Sequence, residues 1–464
     1  MNRPSMMFSV ALVALGARAW AQTNPPELPN PADIPIPSTA PVDQAEPAPS
    51  SSTVVWTIDD VERIALQNNP DVKTALANVA AAQAVIGESV SVYVPHLSVQ
   101  GVSERTTMPI PTAGLATQFG TPAPYGWGNM SFQQTLFDFG KGLEDIQAAR
   151  GARRAQQQQL AALRDDLVLA VQKAFFDVSL TAKLVVVAQR GVDRFQETTR
   201  DAGLLVKTGV RPPFDLTEAN VDLVAARLEL IKAQNARDLA KVALLDLMGM
   251  HSRMGFELSD STQVPNVGTK ELSLDHLIDE AMDLRPEIRR DEASLQSAQS
   301  SLAGGEISLL PTLQAQGYYG GYLPNYPQSL EKVWNIGLAA SWNFFDGLYT
   351  PFHIRELSAR RDAARAQLEK ERLFVEEDVS NAYLNLSRAE QNRDVAEEAL
   401  VYAKENLDLG QKRYAAGVGT ILELLIAETS EFNAEAEELK AVYGLATAVK
   451  TLETAVNLPL ENMK

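Results

Sequence analysis

Apolar residues recur at steps of three and four along the chain, a spacing typical of coiled-coil helices. One such stripe runs through Leu167, Val171, Ala174, Val178, Thr181, Val185, Ala188, Val192 and Phe195. A second runs through Val375, Val379, Ala382, Leu386, Ala389, Ala396, Leu400, Ala403 and Leu407, with one interruption at Arg393. Proline breaks helices, so the proline-free segments 142–211, 214–264 and 352–458 hold most of the predicted helix. Residues 142–204 alone predict a rod of about 90 Å.

Four shorter segments have the period-two pattern of strands. The clearest is 334–344, where Trp334, Ile336 and Leu338 alternate with small or polar residues. The other three are 97–105, 127–137 and 313–322. Loops rich in proline and glycine separate the members of each pair, so each half of the chain predicts one β-hairpin with a long loop.

The two halves of the chain resemble each other. Ala65 and Ala281 lie 216 residues apart, as do Pro95 and Pro311, each pair in a similar context. Further on the offset becomes 208, as for Phe137-Asp138 and Phe345-Asp346. The 464 residues are enough for two or three ordinary domains. The offsets instead predict two tandem copies of one unit, 54–264 and 265–458, followed by a C-terminal tail, 459–464.

The first 53 residues predict no part of this repeat. Residues 1–21 carry one basic residue near the N-terminus, Arg3, then an apolar stretch and Ala19-Trp20-Ala21, which together predict a secretory signal cleaved near Ala21. An uncleaved anchor is the alternative, although the apolar run is short for one. Residues 22–53 hold nine of the 25 prolines and predict an extended or disordered tail. Beyond the signal we expect no apolar stretch long enough for a transmembrane helix.

Composition removes several classes of function. The chain has no cysteine, four scattered histidines and a net charge of −18. Absence of cysteine excludes thiolate catalysis, disulfides and sulfur-ligated metals, and the negative charge argues against nucleic-acid binding. The acidic runs on the predicted helices have no neighbouring histidine, and no phosphate-binding loop is present. We therefore expect no enzyme activity, no cofactor and no metal site.

The predicted strands have the length of membrane-spanning strands. About 9 to 11 residues cross the hydrocarbon core in a tilted strand. Aromatic residues lie toward the strand ends, where a barrel carries an aromatic girdle; they are Trp127, Tyr318, Tyr322, Trp334 and Trp342. Four strands cannot close a barrel, and open edges are not tolerated in lipid, so a spanning sheet requires an oligomer. The alternative is a soluble sheet that covers the helices.

Three motifs resemble those of the TolC-like outer-membrane factor family. They are Ala65-x-x-x-Asn69-Pro70 followed by Pro95-x-Leu97, Leu136-Phe137-Asp138-x-Gly140, and the run 413–425, RYAAGVGTILELL. The similarity extends from about Thr57 to Leu458. It implies a mainly helical protein with transmembrane β-structure: a homotrimer with a 12-stranded barrel in the outer membrane and a coiled-coil α-helical barrel projecting into the periplasm. It also implies partners, namely a periplasmic adaptor and, through it, an inner-membrane pump or ABC transporter.

The resemblance assigns a role to two predicted interhelical turns. Residues Gly209, Val210 and Arg211 form the first turn, and Gly417, Val418, Gly419 and Thr420 form the second. In the family such tips seat the adaptor; the alternative is that these glycines only make turns. Thr420 is also a candidate helix N-cap, and Pro212 and Pro213 fit the first turn of a helix.

Carboxylates follow both turns. Asp215 and Glu423 occupy equivalent positions, and the family resemblance places Glu423 at the first of two aspartates that narrow the tunnel entrance. Ile426 stands where the second would be, which leaves the acidic ring thinner or partly supplied by Glu428 or the first copy. The alternative is a solvated helix N-terminus that favours acids through the helix dipole.

Together these features predict a passive exit duct of a tripartite efflux pump or type I secretion system. The alternative function is a soluble periplasmic coiled-coil adaptor or scaffold, which would share the heptads and the signal. The cargo, whether drugs, metals, metabolites or polypeptides, has no signature in the sequence.

Overall fold

The computed structural model describes residues 54–106, 123–251, 256–259, 272–323 and 331–459. The predicted signal and proline-rich tail lie outside these ranges, as do most of the predicted C-terminal tail and the boundary at 264/265. The described chain is mostly helical.

The same order of elements occurs twice. The first half comprises β1 (Val54–Trp56), α1 (Ile58–Asn68), α2 (Pro70–Val90), β2 (His96–Thr106), β3 (Ala123–Phe137), α3 (Lys141–Lys207) and α4 (Pro213–Leu247). After the short strand β4 (Phe256–Leu258), the second half comprises α5 (Leu274–Leu284), α6 (Pro286–Ile307), β5 (Thr312–Leu323), β6 (Glu331–Ser341), α7 (Tyr349–Ala415) and α8 (Ile421–Val456). Each half thus has a helix–helix–hairpin–long helix–helix sequence.

The predicted rods are single helices. Helices α3 and α7 have 67 residues each, about 100 Å at 1.5 Å per residue. In α3 seven of the nine predicted stripe positions are buried, and Ala174 and Val185 are half-buried. In α7 the stripe is buried from Val375 to Leu386 and at Leu407 but only half-buried between them. The heptad prediction is confirmed. The middle section of the α7 stripe is only partly covered by other residues of the chain.

Three apolar clusters hold the helices together. The first joins α1, α3 and α4 to the two-stranded β1–β4 sheet, where Trp56 stacks on Phe256 at 4.9 Å between ring centroids. The second joins α5, α7 and the C-terminal half of α8 around Leu277, Val379 and Leu452. The third lies between the far ends of α3, α4, α7 and α8. The clusters therefore tie the two halves of the chain into one body.

The other four strands form one antiparallel sheet in the order β2-β3-β5-β6. Paired residues of antiparallel strands share a face. One face of the sheet is therefore apolar and carries Leu97, Val99, Met130, Phe132, Tyr319, Trp334 and Ile336. The other face carries the polar residues Ser98, Gln100, Asn129, Ser131, Gln133, Gln314, Gln316 and Asn335. The polar face carries cross-strand hydrogen bonds, including Ser98 to Ser131 at 2.7 Å and Gln133 to Gln314 at 2.5 Å. Apolar side chains stay exposed on the opposite face, among them Val99 at 77% and Ile336 at 72%.

The strand predictions are confirmed with one correction. Strand β6 runs from Glu331 to Ser341, so the last three residues of the predicted strand 334–344 lie beyond it. Trp342 instead donates its indole N–H to the carbonyl oxygen of Leu309 at 3.0 Å. The chain leaves the sheet there because it must turn toward the start of α7.

The expectation that no helix is long and apolar enough to span a membrane is wrong on length and composition. Among the described residues, the segment 70–93, which is α2 with the turn that follows it, meets that criterion, and none of its most apolar window is buried. The segment owes its apolar character mainly to alanine and valine rather than to a continuous run of large apolar residues.

Asp138 fixes the junction between the sheet and α3. Its carboxylate accepts hydrogen bonds from the Tyr93 hydroxyl at 2.9 Å and from the backbone N–H groups of Gly140 at 3.1 Å and Gly142 at 2.8 Å. A Cβ at Gly142 would lie 2.7 Å from the Tyr93 hydroxyl oxygen, so only glycine fits there. In the second half Asp346 accepts from the backbone N–H of Thr350 at 2.9 Å and from its hydroxyl.

We expect Asp138→Ala to lower the free energy of unfolding by about 2 kcal/mol, because it removes a helix cap and leaves the Tyr93 hydroxyl without its acceptor. The urea midpoint, followed by circular dichroism, measures this. Asp346→Ala is the matched control and should cost less, since Asp346 contacts only the first turn of its own helix. Equal losses in the two variants would contradict this account of the junction.

Candidate functional site: the paired helix tips

The first tip joins α3 to α4. Gly209 has a φ of +74°, a left-handed conformation that glycine adopts without strain. Its N–H donates to the carbonyl oxygen of Val206 at 3.0 Å, and the Val210 N–H donates to that of Leu205 at 3.0 Å. These bonds cap the C-terminus of α3. Helix α4 then begins with Pro213 in its first turn, as predicted.

The second tip has the same geometry 208 residues later. Gly417 has a φ of +77° and donates to the Tyr414 carbonyl at 3.0 Å, while Val418 donates to that of Arg413 at 3.1 Å. The Thr420 side-chain oxygen accepts from the N–H of Glu423 at 3.2 Å, which confirms the predicted N-cap of α8. The matching sequences therefore make matching turns.

The two tips contact each other. The Arg211 guanidinium donates to the carbonyl oxygen of Gly419 at 2.9 Å and lies 4.9 Å from the centroid of the Tyr414 ring. Gly419 is buried, and a Cβ there would lie 3.1 Å from Arg413. The sequence placed Arg211 and Gly419 on separate tips and did not predict their contact. One arginine thus links the two helical hairpins at their far ends.

The exposed part of this paired tip includes two apolar side chains. Val210 is 66% exposed and Val418 is 71% exposed. Neither side chain belongs to an apolar cluster of the described chain. The two valines therefore form an exposed apolar surface on the tip, while the glycines beside them set the backbone.

The two predicted carboxylates have different surroundings. Glu423 is exposed and lies 3.4 Å from Arg413, and Ile426 is exposed on the same face of α8. Asp215 is 6% exposed, which departs from the prediction of a second water-facing carboxylate. It lies near Tyr414: burial raises the pKa of that hydroxyl, and the negative charge of Asp215 raises it further. The close approach of the two tips buries Asp215.

Glu428, named above as one source of an acidic ring, is buried rather than water-facing. Its side chain is 1% exposed and turned toward α3, where one carboxylate oxygen accepts from the Thr198 hydroxyl at 2.7 Å. The correction has a simple geometric cause. Glu428 follows Leu424 by four residues and so lies on the packed face of α8, whereas Glu423 and Ile426 lie on the exposed face.

A polar seam between α3 and α8 was not predicted from the sequence. It comprises Thr198 with Glu428, Arg194 with Glu431 at 2.5 Å, and Arg190 with Glu435 at 2.6 Å. A signal was present: Ile421, Leu424, Glu428, Glu431, Glu435 and Glu438 follow one another by steps of three and four. Four consecutive core positions of this heptad stripe are thus glutamates.

The aromatic residues predicted for a girdle lie at the opposite end of the long helices. Trp334 is on the apolar face of the sheet and 68% exposed, and Trp342 follows the end of that strand. The register places Trp127 and Tyr318 on the polar face, and the backbone of Tyr322 lies opposite Trp127. The five residues therefore do not share a face, because period-two alternation alone does not fix which positions pair. Among the described residues, no cluster of histidine, aspartate and glutamate has the arrangement of a metal site.

Known proteins share this architecture. A family model described as outer membrane efflux protein matches residues 62–250 and 277–458. Protein CyaE of Bordetella pertussis is 22% identical over 404 residues, which cover 84% of this chain and 82% of that protein. Toxin and drug export protein A of Aggregatibacter actinomycetemcomitans is 23% identical over 392 residues, which cover 83% of this chain and 82% of that protein.

The fold is also similar to solved structures. The MtrE outer membrane channel of Neisseria gonorrhoeae, in its open state, superposes with a TM-score of 0.72 at 21% identity, covering 87% of this chain and 89% of that one. This likeness shows the fold. The family model matches most of the chain and both of its halves, and the chain therefore belongs to the outer membrane efflux protein family.

Proposed function

We propose that this protein is a homotrimeric outer-membrane channel, the passive exit duct of a tripartite efflux pump or type I secretion system. The observation that carries the proposal is the four-stranded sheet with one polar face, one exposed apolar face and two outer strands. Within the described chain β2 and β6 each pair on one side only. An open edge leaves backbone N–H and C=O groups unsatisfied in lipid. Pairing β6 of one copy with β2 of the next would close a barrel of twelve strands in a trimer.

The two faces of the sheet fit the two sides of such a barrel. The exposed face with Leu97, Val99 and Ile336 suits contact with outer-membrane lipid, and the face with Gln133, Gln314 and Asn335 suits an aqueous interior. The outward girdle then includes Trp334 and Trp342, whereas Trp127, Tyr318 and Tyr322 belong to strand positions that face the interior.

The helices would form the periplasmic tunnel. Export follows from the predicted signal, cleaved near Ala21, and the two repeats, 54–264 and 265–458, would each supply a hairpin to the barrel and helices to the tunnel. The chain is a conduit in this proposal, so the driving energy comes from an inner-membrane pump or ABC transporter through a periplasmic adaptor.

The paired tip is the proposed adaptor contact. Val210 and Val418 supply the exposed apolar surface, and Gly209 and Gly417 set the turns. Arg211 and Gly419 hold the two tips together, and Thr420 caps α8. Glu423 is the proposed carboxylate of the tunnel entrance. Asp215 is buried against Tyr414. In this proposal it acts on the tunnel entrance through its negative charge, without direct contact with water or ions.

Membership in the outer membrane efflux protein family favours this channel over the alternative of a soluble periplasmic scaffold. The cargo is proposed only as a class. One relative is named for the export of both toxins and drugs, so polypeptides and small molecules are both candidates.

The first experiment expresses the full chain in a Gram-negative host. We expect the protein in the outer-membrane fraction as an oligomer that dissociates on heating in detergent, because twelve strands would be closed only in the assembly. A soluble periplasmic monomer would overturn the channel proposal and support the alternative of a periplasmic scaffold.

The tip is tested by Val210→Asp combined with Val418→Asp. Charge on the exposed apolar surface should abolish photo-crosslinking to the adaptor and reduce export or drug resistance to the level of a deletion strain. The oligomer in the outer membrane should remain unchanged. Val418→Ile is the matched control, since it keeps an apolar side chain of similar shape. Normal export by the double aspartate variant would exclude this surface as the contact.

The entrance carboxylate is tested by Glu423→Ala in planar bilayers. Removing an exposed negative charge from each subunit should lower the cation-to-anion permeability ratio roughly twofold, measured as a reversal potential in a salt gradient. Glu437→Ala, an exposed glutamate far along α8, should leave the ratio unchanged. A reversal potential identical to that of the unmodified protein would rule out Glu423 as an entrance residue.

A further inference from the structure

Glu428 is the most anomalous charged residue in the described chain. Its side chain is 1% exposed, Thr198 donates to one carboxylate oxygen, and the other, Oε2, is buried without a hydrogen-bond partner. A buried carboxylate with one donor and no paired cation is costly in its charged form and far less costly when neutral. Protonation therefore decides how well this position fits the packed interface.

The neighbouring positions of the seam differ in this respect. Glu431 has Arg194 at 2.5 Å, and Glu435 has Arg190 at 2.6 Å. Both arginines thus lie with their own glutamates, further from the tip. At the position nearest the tip, α3 presents the hydroxyl of Thr198 instead of a guanidinium. Further from the tip, each glutamate of the seam is therefore paired with an arginine. Nearest the tip, Glu428 has no arginine of its own.

The groups that face Glu428 come from each helix packed against it. Helix α3 brings Thr198, Arg194 and Glu197, and helix α4 brings Asp222. Helix α7 brings Gly410 against Ala427, the residue before Glu428. Two carboxylates thus oppose ionisation, and the one cation is shared with Glu431.

We propose that Glu428 is a protonation-controlled latch: its neutral carboxyl allows the first turns of α8 to pack against α3 at Thr198, and its ionisation releases them. The latch acts on the segment that begins at Ile421, and this segment also carries Glu423 and Ile426 on its exposed face. In the channel proposed above, release would move those residues and change the width of the tunnel entrance. That consequence rests on the proposed function, whereas the latch itself does not.

The sign of the pH dependence follows from the same surroundings. Burial raises the pKa of Glu428 from its usual value of 4.5 to about 7. A carboxyl whose pKa is raised in the docked state favours docking fully below pH 4.5, and this preference is lost as the pH rises through about 7. Between pH 5 and pH 8 the ratio of docked to released α8 should fall on the order of 100-fold.

Hydrogen exchange on the assembled full-length protein measures this ratio directly. Each rate is divided by the intrinsic rate at the same pH, so only the structural protection remains. We expect protection of residues 421–432 to fall on the order of 100-fold between pH 5 and pH 8, and protection of residues 444–456 to stay constant. In Glu428→Gln, which keeps the shape without the charge, protection should be high at both pH values. Glu437→Gln, on the same helix, should behave like the unmodified protein.

A second variant fixes the mechanism. The Thr198 hydrogen bond lowers the pKa of Glu428, so Thr198→Val should shift the midpoint of the protection curve to higher pH. A purely structural role for Thr198 would lower protection at every pH without moving the midpoint, and that result would overturn the latch. So would pH-independent protection in the unmodified protein, or an unchanged pH dependence in Glu428→Gln.

Channel conductance recorded over the same pH range separates the latch from the proposed function. Conductance that rises with pH while protection falls supports both. A pH-dependent protection change in a protein that never conducts would leave the latch standing and reject the channel. Conductance together with pH-independent protection would support the channel and reject the latch.

Discussion

The packing of apolar heptad stripes on two 67-residue helices governs the rest of this molecule. Helices α3 and α7 each extend from the four-stranded sheet to the far tips. Every other helix packs alongside them: α6 contacts both, α4 packs on α3, and α8 packs on α7 and α3. The strands at one end and the glycine turns at the other are thereby held about 100 Å apart. A rigid separation of this length suits a protein whose two ends meet different surroundings.

Polar residues modify this apolar packing only at particular points. The seam of Thr198, Arg194 and Arg190 against three glutamates lies in the heptad core near the tip, where leucine or alanine would pack more simply. Buried charge pairs add little stability, and removing one partner is costly. Their arrangement along α3 and α8 fixes one register of the two helices, since a shift by one turn would separate each arginine from its glutamate.

Much of the architecture was predictable because it depends on local periodicity. The steps of three and four located the packed stripes of α3 and α7, the period of two gave the four strands, and Thr420 was identifiable as an N-cap from its place before a helical pattern. The constant offset between halves correctly paired Gly209 with Gly417 as equivalent turns. Predictions that depended on which elements pack together were less accurate. The burial of Asp215 and Glu428 and the division of the aromatic residues between two faces depend on which elements meet.

The sequence by itself determined the elements, their order, their lengths and the membership of each residue in an apolar or polar stripe, because these follow from backbone periodicity and from the conformations of glycine and proline. Only the tertiary structure decided which charged residues are hidden and which are exposed. Asp215 is buried because the first tip packs on Tyr414, and Glu428 because α8 turns it toward Thr198, whereas Glu423 stays exposed on a different face of α8. The heptad spacing places Glu428 on the packed face of α8, but its partner Thr198 lies 230 positions away along the chain, and no local pattern identifies that partner.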